Sequence, residues 1–293
     1  MKAYTYKKID AFASGNSTGN PAACLYLAPG ESLTPDEMLT IALQHKGFVS
    51  EVAYCEPSDI ADVRLTYYSS ECEVDFCGHA TIACLYDLAA NDPRFAKKAQ
   101  ITVQTNKKGV LTVSNRAAEL GAVFITAPDA VHIGTALTQS EAAAALGLPE
   151  NSLSAQLPID VIDAGLATLI VPVAHLADEI SVFPDEARLK AFCETQGVDI
   201  VLIFSMETAD AGYHAHTRVF APRFGYLEDP ATGSGNSAFG NYMLKHSLWE
   251  GSGIRIEQGG NDRVYNTVHL IAPGGRVQFG GGAATRISGE YHI

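Results

Sequence analysis

The stretch "LEDPATGSGNSAFGNYML" (227–244) places two acids, a proline and a glycine-rich run ahead of a helix-like pattern. Its G-S-G-N-S-A segment has the G-x-G-x-x-G/A spacing of a dinucleotide-binding turn. Such a turn needs a buried strand before the glycines, and a βαβ unit with an acid about 20 residues beyond them. Here a proline and two acids precede the glycines, mostly antiparallel-looking strands follow, and no Lys-Ser/Thr pair completes a Walker A motif. The sequence therefore argues against a nucleotide loop.

An earlier stretch, "DFCGHATIACLYDLA" (75–89), has the same plan as "PATGSGNSAFGNYML" (230–244). Each has a thiol or hydroxyl, then a glycine, a polar residue, a small residue and the first turns of a helix. The matched pairs are Cys77 and Thr232, Gly78 and Gly233, and His79 and Ser234. This similarity indicates two halves of similar plan.

Small residues at a helix start leave backbone N–H groups and a partial positive charge accessible to an anion. Two such helix starts facing each other would hold a small carboxylate from both sides. A structural explanation stays open beside this one, because the glycines would also let two central helices pack closely on sheets. The two explanations are compatible.

Composition limits the class of protein. The chain has 293 residues, 47% of them hydrophobic, and a net charge of -13, which argues against a nucleic-acid or anionic-membrane surface. Without a signal sequence or a long apolar run, we expect a cytoplasmic protein. Six cysteines without a C-x-x-C pair indicate reduced thiols, and the neighbours His214 and His216 lack a nearby third ligand. We therefore expect no metal site.

The strand and helix patterns predict two domains of mixed α+β structure. Domain 1 spans 1–125 plus a returning C-terminal strand at about 283–293, and domain 2 spans 126–282. Strands are predicted at 3–12, 22–27, 51–55, 62–69 and 73–76, with a hairpin over 100–115. Helices are predicted at 35–46, 80–91, 139–147, 184–196 and 235–246.

Three candidates for acid or base chemistry lie near the two helix starts: Glu51, His79 and Asp229. Glu51 stands at the head of an apolar strand, where partial desolvation would raise its pKa and let it take and return a proton. Simpler roles stay open: a solvated strand end for Glu51, a helix cap for His79 and a turn anchor for Asp229. Thr232 and Ser234 are likewise ordinary N-cap types.

Four separated motifs resemble the phenazine-biosynthesis PhzF-like family, in the family's order and spacing. They are "STGNPAACLYL" (17–27), "GFVSEVAY" (47–54), "EVDFCGHATIA" (73–83) and "RVFAPRFGYLEDPATGSGNSA" (218–238). The resemblance implies a diaminopimelate epimerase-like fold. In that fold two pseudo-symmetric domains each curl a mostly antiparallel sheet around a central helix, with the active site in the cleft between them.

The resemblance also implies roles for individual residues. Glu51 would transfer the proton, assisted by His79 and Asp229. A second set would bind the substrate, with its carboxylate held by Ser234 and the backbone at the two helix starts. That set is Asn20, Ser50, Gly78, Thr232, Gly233 and Ser234.

The activity implied is a cofactor-independent isomerisation of a small carboxylate-bearing metabolite, similar to that of trans-2,3-dihydro-3-hydroxyanthranilate isomerase, in a homodimer. Epimerases of this fold carry a cysteine at each helix start, whereas this chain pairs Cys77 with Thr232. Two-thiol racemisation is therefore disfavoured. One-sided epimerase or dehydratase chemistry with Cys77 and Thr232, and a non-catalytic metabolite-binding protein, stay open as alternatives.

Overall fold

The computed structural model describes residues 2–260 and 264–293 and divides into two compact units. The first unit comprises the chain up to Ile125 together with Gly280–Ile293, and the second comprises Thr126–Phe279. The sequence predicted divisions after residues 125 and 282. Along the part of the chain that the structure describes, no helix is long and apolar enough to cross a membrane.

Unit 1 is a mostly antiparallel sheet packed on one buried helix, α2. Its strands are β1 (Ala3–Ala11), β2 (Asn20–Tyr26), β3 (Glu51–Glu56), β4 (Val63–Ser69), β5 (Glu73–Val74), β6 (Gln100–Thr105), β7 (Gly109–Arg116), β8 (Ala122–Thr126) and β18 (Ala283–His292). Its helices are α1 (Pro35–Gln44), α2 (Gly78–Asn91), α3 (Pro93–Ala96) and α4 (Ala117–Leu120).

The strands of unit 1 pair in the order β18-β1-β2-β3-β4-β6-β7-β8, with β5 on β4. The β2–β3 and β4–β6 pairs are parallel and the others are antiparallel. Helix α2 contacts β1, β2, β3 and β18. Its small and apolar residues, such as Ala80, Ile82 and Leu85, are fully buried, and the helix reaches solvent at its C-terminal end, where Asn91 is exposed.

Unit 2 has the same plan around α8. Its strands are β9 (Val131–His132), β10 (Asp160–Asp163), β11 (Ala167–Pro172), β12 (Ile200–Ser205), β13 (Ala215–Phe220), β14 (Glu228–Asp229), β15 (Ile254–Gln258), β16 (Asn266–Ile271) and β17 (Gln278–Gly281), the last crossing the unit boundary. Its helices are α5 (Gln139–Leu146), α6 (Leu176–Ser181), α7 (Glu186–Gln196) and α8 (Gly233–Lys245).

The pairing of unit 2 runs β9-β10-β11-β12-β13-β15-β16, with β14 on β13. The β11–β12 and β13–β15 pairs are parallel. The directions of β10, β11, β12, β13, β15 and β16 therefore match those of β1, β2, β3, β4, β6 and β7, in that order. Helix α8 follows β14 along the chain, as α2 follows β5. The internal similarity of the two helix starts thus belongs to a repeated β-sheet plan.

Both central helices begin two residues earlier than the sequence predicted, at Gly78 and Gly233. Helical periodicity does not reveal these starts, because glycine adds no side chain to the apolar pattern. The short elements α3, α4, α6, β8, β9 and β14 were not predicted either. Elements of two to six residues carry too few side chains for periodicity to show.

Gly233 is required for packing. A Cβ atom there would lie 2.2 Å from Cε2 of Phe279, whose ring is buried. We expect Gly233→Ala to lower the free energy of unfolding by about 1–3 kcal/mol, because the buried ring must shift. Urea unfolding measures this loss.

Gly289→Ala is the matched control, since nothing lies within 4 Å of a Cβ atom at that strand position. It should leave the unfolding midpoint close to that of the unaltered chain. A Gly233→Ala variant as stable as the Gly289→Ala control would contradict the packing explanation.

Candidate active site

Glu51 is the first residue of β3, between its parallel neighbour β2 and its antiparallel neighbour β4. Its side chain is only 21% exposed. Burial raises the pKa of the Glu51 carboxyl to about 7, and a hydrogen bond with Cys77 opposes this shift. The solvated strand-end interpretation of Glu51 is therefore wrong, and the desolvation expected from the sequence is confirmed.

The carboxyl of Glu51 lies against the start of α2. Its Oε2 atom is 3.3 Å from Nε2 of His79, and Sγ of Cys77 is 3.5 Å from Nδ1 of the same ring. Cys77 occupies the N-cap position of α2 and makes no capping hydrogen bond through its side chain. The first turn, which begins at Gly78, therefore keeps its partial positive charge beside the Glu51 carboxyl.

Asn20 and Ser50 flank this group in the chain. Asn20 begins β2 and is buried, whereas Ser50 immediately precedes β3 and is exposed. Burial of an amide at the end of a strand requires hydrogen-bond partners and fixes its orientation. The exposed Ser50 side chain can bond to water instead, so burial fixes the orientation of Asn20 but not that of Ser50.

A second group of predicted residues forms in unit 2. Asp229 lies in β14, and the hydroxyl of Thr232 donates a short hydrogen bond to its Oδ2 atom. Thr232 is the N-cap residue of α8, but its side chain does not cap the helix. Gly233 and Ser234 are the first two residues of α8, so Ser234 lies inside the first turn rather than at the cap. The expectation that Thr232 or Ser234 caps α8 through its side chain is therefore wrong.

Gln258, at the end of β15, holds this turn together and was not identified from the sequence. Its Oε1 atom accepts from the Thr232 backbone at 2.9 Å and from Nδ2 of Asn236 at 2.7 Å. Its Nε2 atom donates to the Asp229 carbonyl at 3.0 Å and to Oγ1 of Thr232 at 3.2 Å. The side chain is fully buried, and the four contacts fix the amide orientation. Asp229 is thus a turn anchor, as one interpretation held, and it also presents its carboxylate to Thr232.

The glycines of the G-S-G run pack against the sheet. In addition to the Phe279 contact of Gly233, a Cβ atom on Gly235 would lie 3.3 Å from Cδ1 of Ile200. The dinucleotide-like spacing therefore has a packing cause. Glycine here permits a close approach of helix and sheet.

The donor atoms of Glu51, Cys77 and His79 lie within 4.8 Å of one another and form the one such three-residue group among the described residues. His216 is engaged elsewhere, with Nδ1 at 3.0 Å from Oε1 of the buried Glu179. None of the six cysteines, all within the described ranges, forms a disulfide. A carboxyl, a thiol and an imidazole of unit 1 thus lie together at the start of α2.

Comparison with known proteins shows the family to which the chain belongs. The sequence matches the PhzC-PhzF family, described as phenazine biosynthesis-like protein, over residues 9–289. It is 32% identical to the uncharacterized isomerase YfhB of Bacillus subtilis over 88% of this chain and 87% of that protein. It is 26% identical to the trans-2,3-dihydro-3-hydroxyanthranilate isomerase of Pseudomonas chlororaphis, over 87% and 85% of the two chains.

A crystal structure of a PhzF-family phenazine biosynthesis protein from Bacillus anthracis has a TM-score of 0.86 and 27% identity, with both chains covered completely. The architecture is therefore the diaminopimelate epimerase-like α+β fold that the sequence predicted. These matches define an isomerase class. The chain belongs to the PhzC-PhzF family of phenazine biosynthesis-like proteins.

The raised pKa of Glu51 gives stability a pH dependence. The folded-state pKa of about 7 exceeds the ordinary 4.5, so the contribution is complete below about pH 4.5 and is lost as pH rises through about 7. Glu51→Gln removes this titration. Its stability relative to the unaltered chain should therefore rise by about 3 kcal/mol between pH 4.5 and 8, as measured by urea unfolding.

Glu71→Gln provides the control, because the Glu71 carboxyl is exposed and Lys46 lowers its pKa. That substitution should give a small difference of opposite sign. If Glu51→Gln and the unaltered chain show the same pH dependence, Glu51 is not desolvated.

Removal of the Gln258 amide should destabilise unit 2. Gln258→Leu leaves the buried Thr232 N–H without its acceptor and removes one of the two acceptors of Asn236 Nδ2, the other being the Thr232 carbonyl. We expect this to lower the unfolding free energy by about 2–4 kcal/mol. Gln278→Leu is the control, because the Gln278 amide makes a single hydrogen bond, to Oγ1 of Thr126. Equal losses in urea unfolding would show that the Gln258 network has no special role.

Proposed function

We propose that this protein is a cofactor-independent isomerase that moves one proton on a small carboxylate-bearing metabolite, with Glu51 as the base and acid. The observation that carries the proposal is the Glu51 carboxyl, buried, with a pKa raised to about 7 and 3.3 Å from the His79 imidazole. A carboxyl with such a pKa exists in both protonation states near neutral pH. It can therefore take a proton and return it.

The proposed step conserves atoms and electrons. Glu51 takes a proton from a carbon beside an unsaturated system, and the C–H electron pair moves into that system. The protonated Glu51, whose O–H proton exchanges with solvent, then gives a proton to another carbon, and the double bond moves. No oxidant, reductant or leaving group is involved, so the net change is an isomerisation.

The equivalent position of the second repeat supports a single proton carrier. Ile200 is the first residue of β12, as Glu51 is the first residue of β3, and it packs near Gly235 at the start of α8. An isoleucine cannot exchange protons. Removal and return of the proton are therefore assigned to one carboxyl.

Backbone N–H groups at the helix starts are suited to the substrate carboxylate. Cys77 does not cap α2 and Thr232 does not cap α8 through its side chain. An anion at a helix start gains from these N–H groups and from the helix dipole. Participation of Asp229, Ser234 and the other predicted binding residues in the same reaction is proposed from the family resemblance.

The substrate proposed for the first test is trans-2,3-dihydro-3-hydroxyanthranilate, because the Pseudomonas chlororaphis relative is named for it. A broader panel of cyclic and amino-acid-derived carboxylates covers related substrates. We also propose, from the family resemblance, that the protein acts in the cytoplasm as a homodimer.

Deuterium incorporation tests the mechanism. In D2O, the enzyme should exchange substrate C–H protons or isomerise the substrate, as followed by proton NMR, and Glu51→Gln should slow this by about 100-fold or more. Glu56→Gln is a matched control, since Glu56 ends the same strand and burial raises its pKa too. That variant should retain the unaltered rate.

Three outcomes separate the candidate functions. An active Glu51→Gln variant with an inactive Cys77→Ala variant would overturn the Glu51 mechanism and favour epimerase or dehydratase chemistry at Cys77 and Thr232. A carboxylate that raises the melting temperature without any exchange would overturn catalysis and favour a metabolite-binding protein. Loss of exchange in Glu51→Gln alone, with the fold intact, supports the proposal.

A further inference from the structure

Three kinds of metal-ligating atom meet at the start of α2. They are a carboxylate oxygen of Glu51, the sulfur of Cys77 and an imidazole nitrogen of His79, all within 4.8 Å of one another. Ca²⁺ and Mg²⁺ prefer oxygen ligands, whereas a mixed set of oxygen, nitrogen and thiolate sulfur suits Zn²⁺. The chemistry of this group therefore favours a thiophilic divalent cation.

The distances fit a tetrahedral ion. Zinc bonds of about 2.0 Å to nitrogen and oxygen and about 2.3 Å to sulfur give ligand separations of about 3.3 Å for N and O and about 3.6 Å for N and S. Oε2 of Glu51 is 3.3 Å and Sγ of Cys77 is 3.9 Å from Nε2 of His79. The sulfur of Cys77 therefore lies within a few tenths of an ångström of the separation from Nε2 that a zinc ion requires.

The position at the helix start is compatible with a cation. A carboxylate and a thiolate together neutralise the two positive charges of the ion, so the positive end of α2 meets a neutral complex.

We propose that Glu51, Cys77 and His79 form a three-ligand site for Zn²⁺, with water retained from the hydrated ion as the fourth ligand. On binding, the six-coordinate hydrated ion loses five waters: three Zn–water bonds are replaced by Zn–O, Zn–S and Zn–N bonds, and two more waters leave as the coordination number falls from six to four. The thiol proton passes to solvent, as does that of any protonated Glu51, and no group changes oxidation state. The inhibitory consequence rests on the proposed function: a bound ion occupies the oxygen lone pair with which Glu51 takes a proton.

Cobalt substitution tests the site directly. The full chain is first freed of metal by dialysis against a chelator and then titrated with Co²⁺. A thiolate–cobalt absorption band should appear with one equivalent of Co²⁺ and disappear when Zn²⁺ is added. Competition with a chromophoric chelator measures the Zn²⁺ affinity.

Two ligand variants and one control identify the site. Cys77→Ser should abolish the thiolate band, and both Cys77→Ser and His79→Gln should weaken Zn²⁺ binding by about tenfold or more. Cys72→Ser should bind like the unaltered chain, because Cys72 is an exposed cysteine outside the group. Circular dichroism verifies that each variant is folded.

The metal site and the proposed function fail in different ways. Absence of the thiolate band in the unaltered chain, or full Zn²⁺ affinity in folded Cys77→Ser, overturns the metal site. Absence of substrate exchange in metal-free protein overturns the isomerase mechanism and leaves the absorbance result valid. If exchange occurs in the metal-free protein, Zn²⁺ at saturation should suppress it.

Discussion

A helix buried inside a sheet is the constraint on which each unit depends. Most residues of helices α2 and α8 are buried, and both helices start with glycine. Their few buried polar side chains, such as Asp87 and Asn236, are hydrogen-bonded within the fold. Neither start is capped by the side chain of its N-cap residue. Because backbone N–H groups need partners, polar side chains gather at the first turn of each buried helix.

The repeated plan has diverged in chemistry while its strand directions are kept. At the head of the equivalent strands β3 and β12, unit 1 has Glu51 and unit 2 has Ile200. At the helix caps, unit 1 has Cys77, in contact with His79, and unit 2 has Thr232, bonded to Asp229. The start of α2 in unit 1 therefore has a carboxyl, a thiol and an imidazole close together. The start of α8 in unit 2 has a hydrogen-bonded turn that Gln258 holds in place.

Sequence patterns predicted the features that depend on local composition. The long strands and the bodies of the central helices follow from periodicity. The similarity of the two helix starts was visible in their small residues, although their first residues were not, and the four motifs indicated the family. Desolvation of Glu51 could be suggested but not established, because burial depends on the neighbouring strands and on α2. Gln258 had no local signal, since the parallel pairing of β13 with β15 brings it to a turn 26 residues earlier in the chain.

The pairing of β1 with β18 has a consequence for the order of folding during synthesis. Ala3 pairs with His292, and the register continues to Ala11 with Ala283. At about 5–20 residues per second, one edge of β1 waits roughly half a minute for its partner, while the continuous unit 2 is completed first. An open strand edge invites pairing with other chains, and lysines discourage it. Lys7 and Lys8 place two positive charges in the middle of β1, the strand that lacks its partner during this interval.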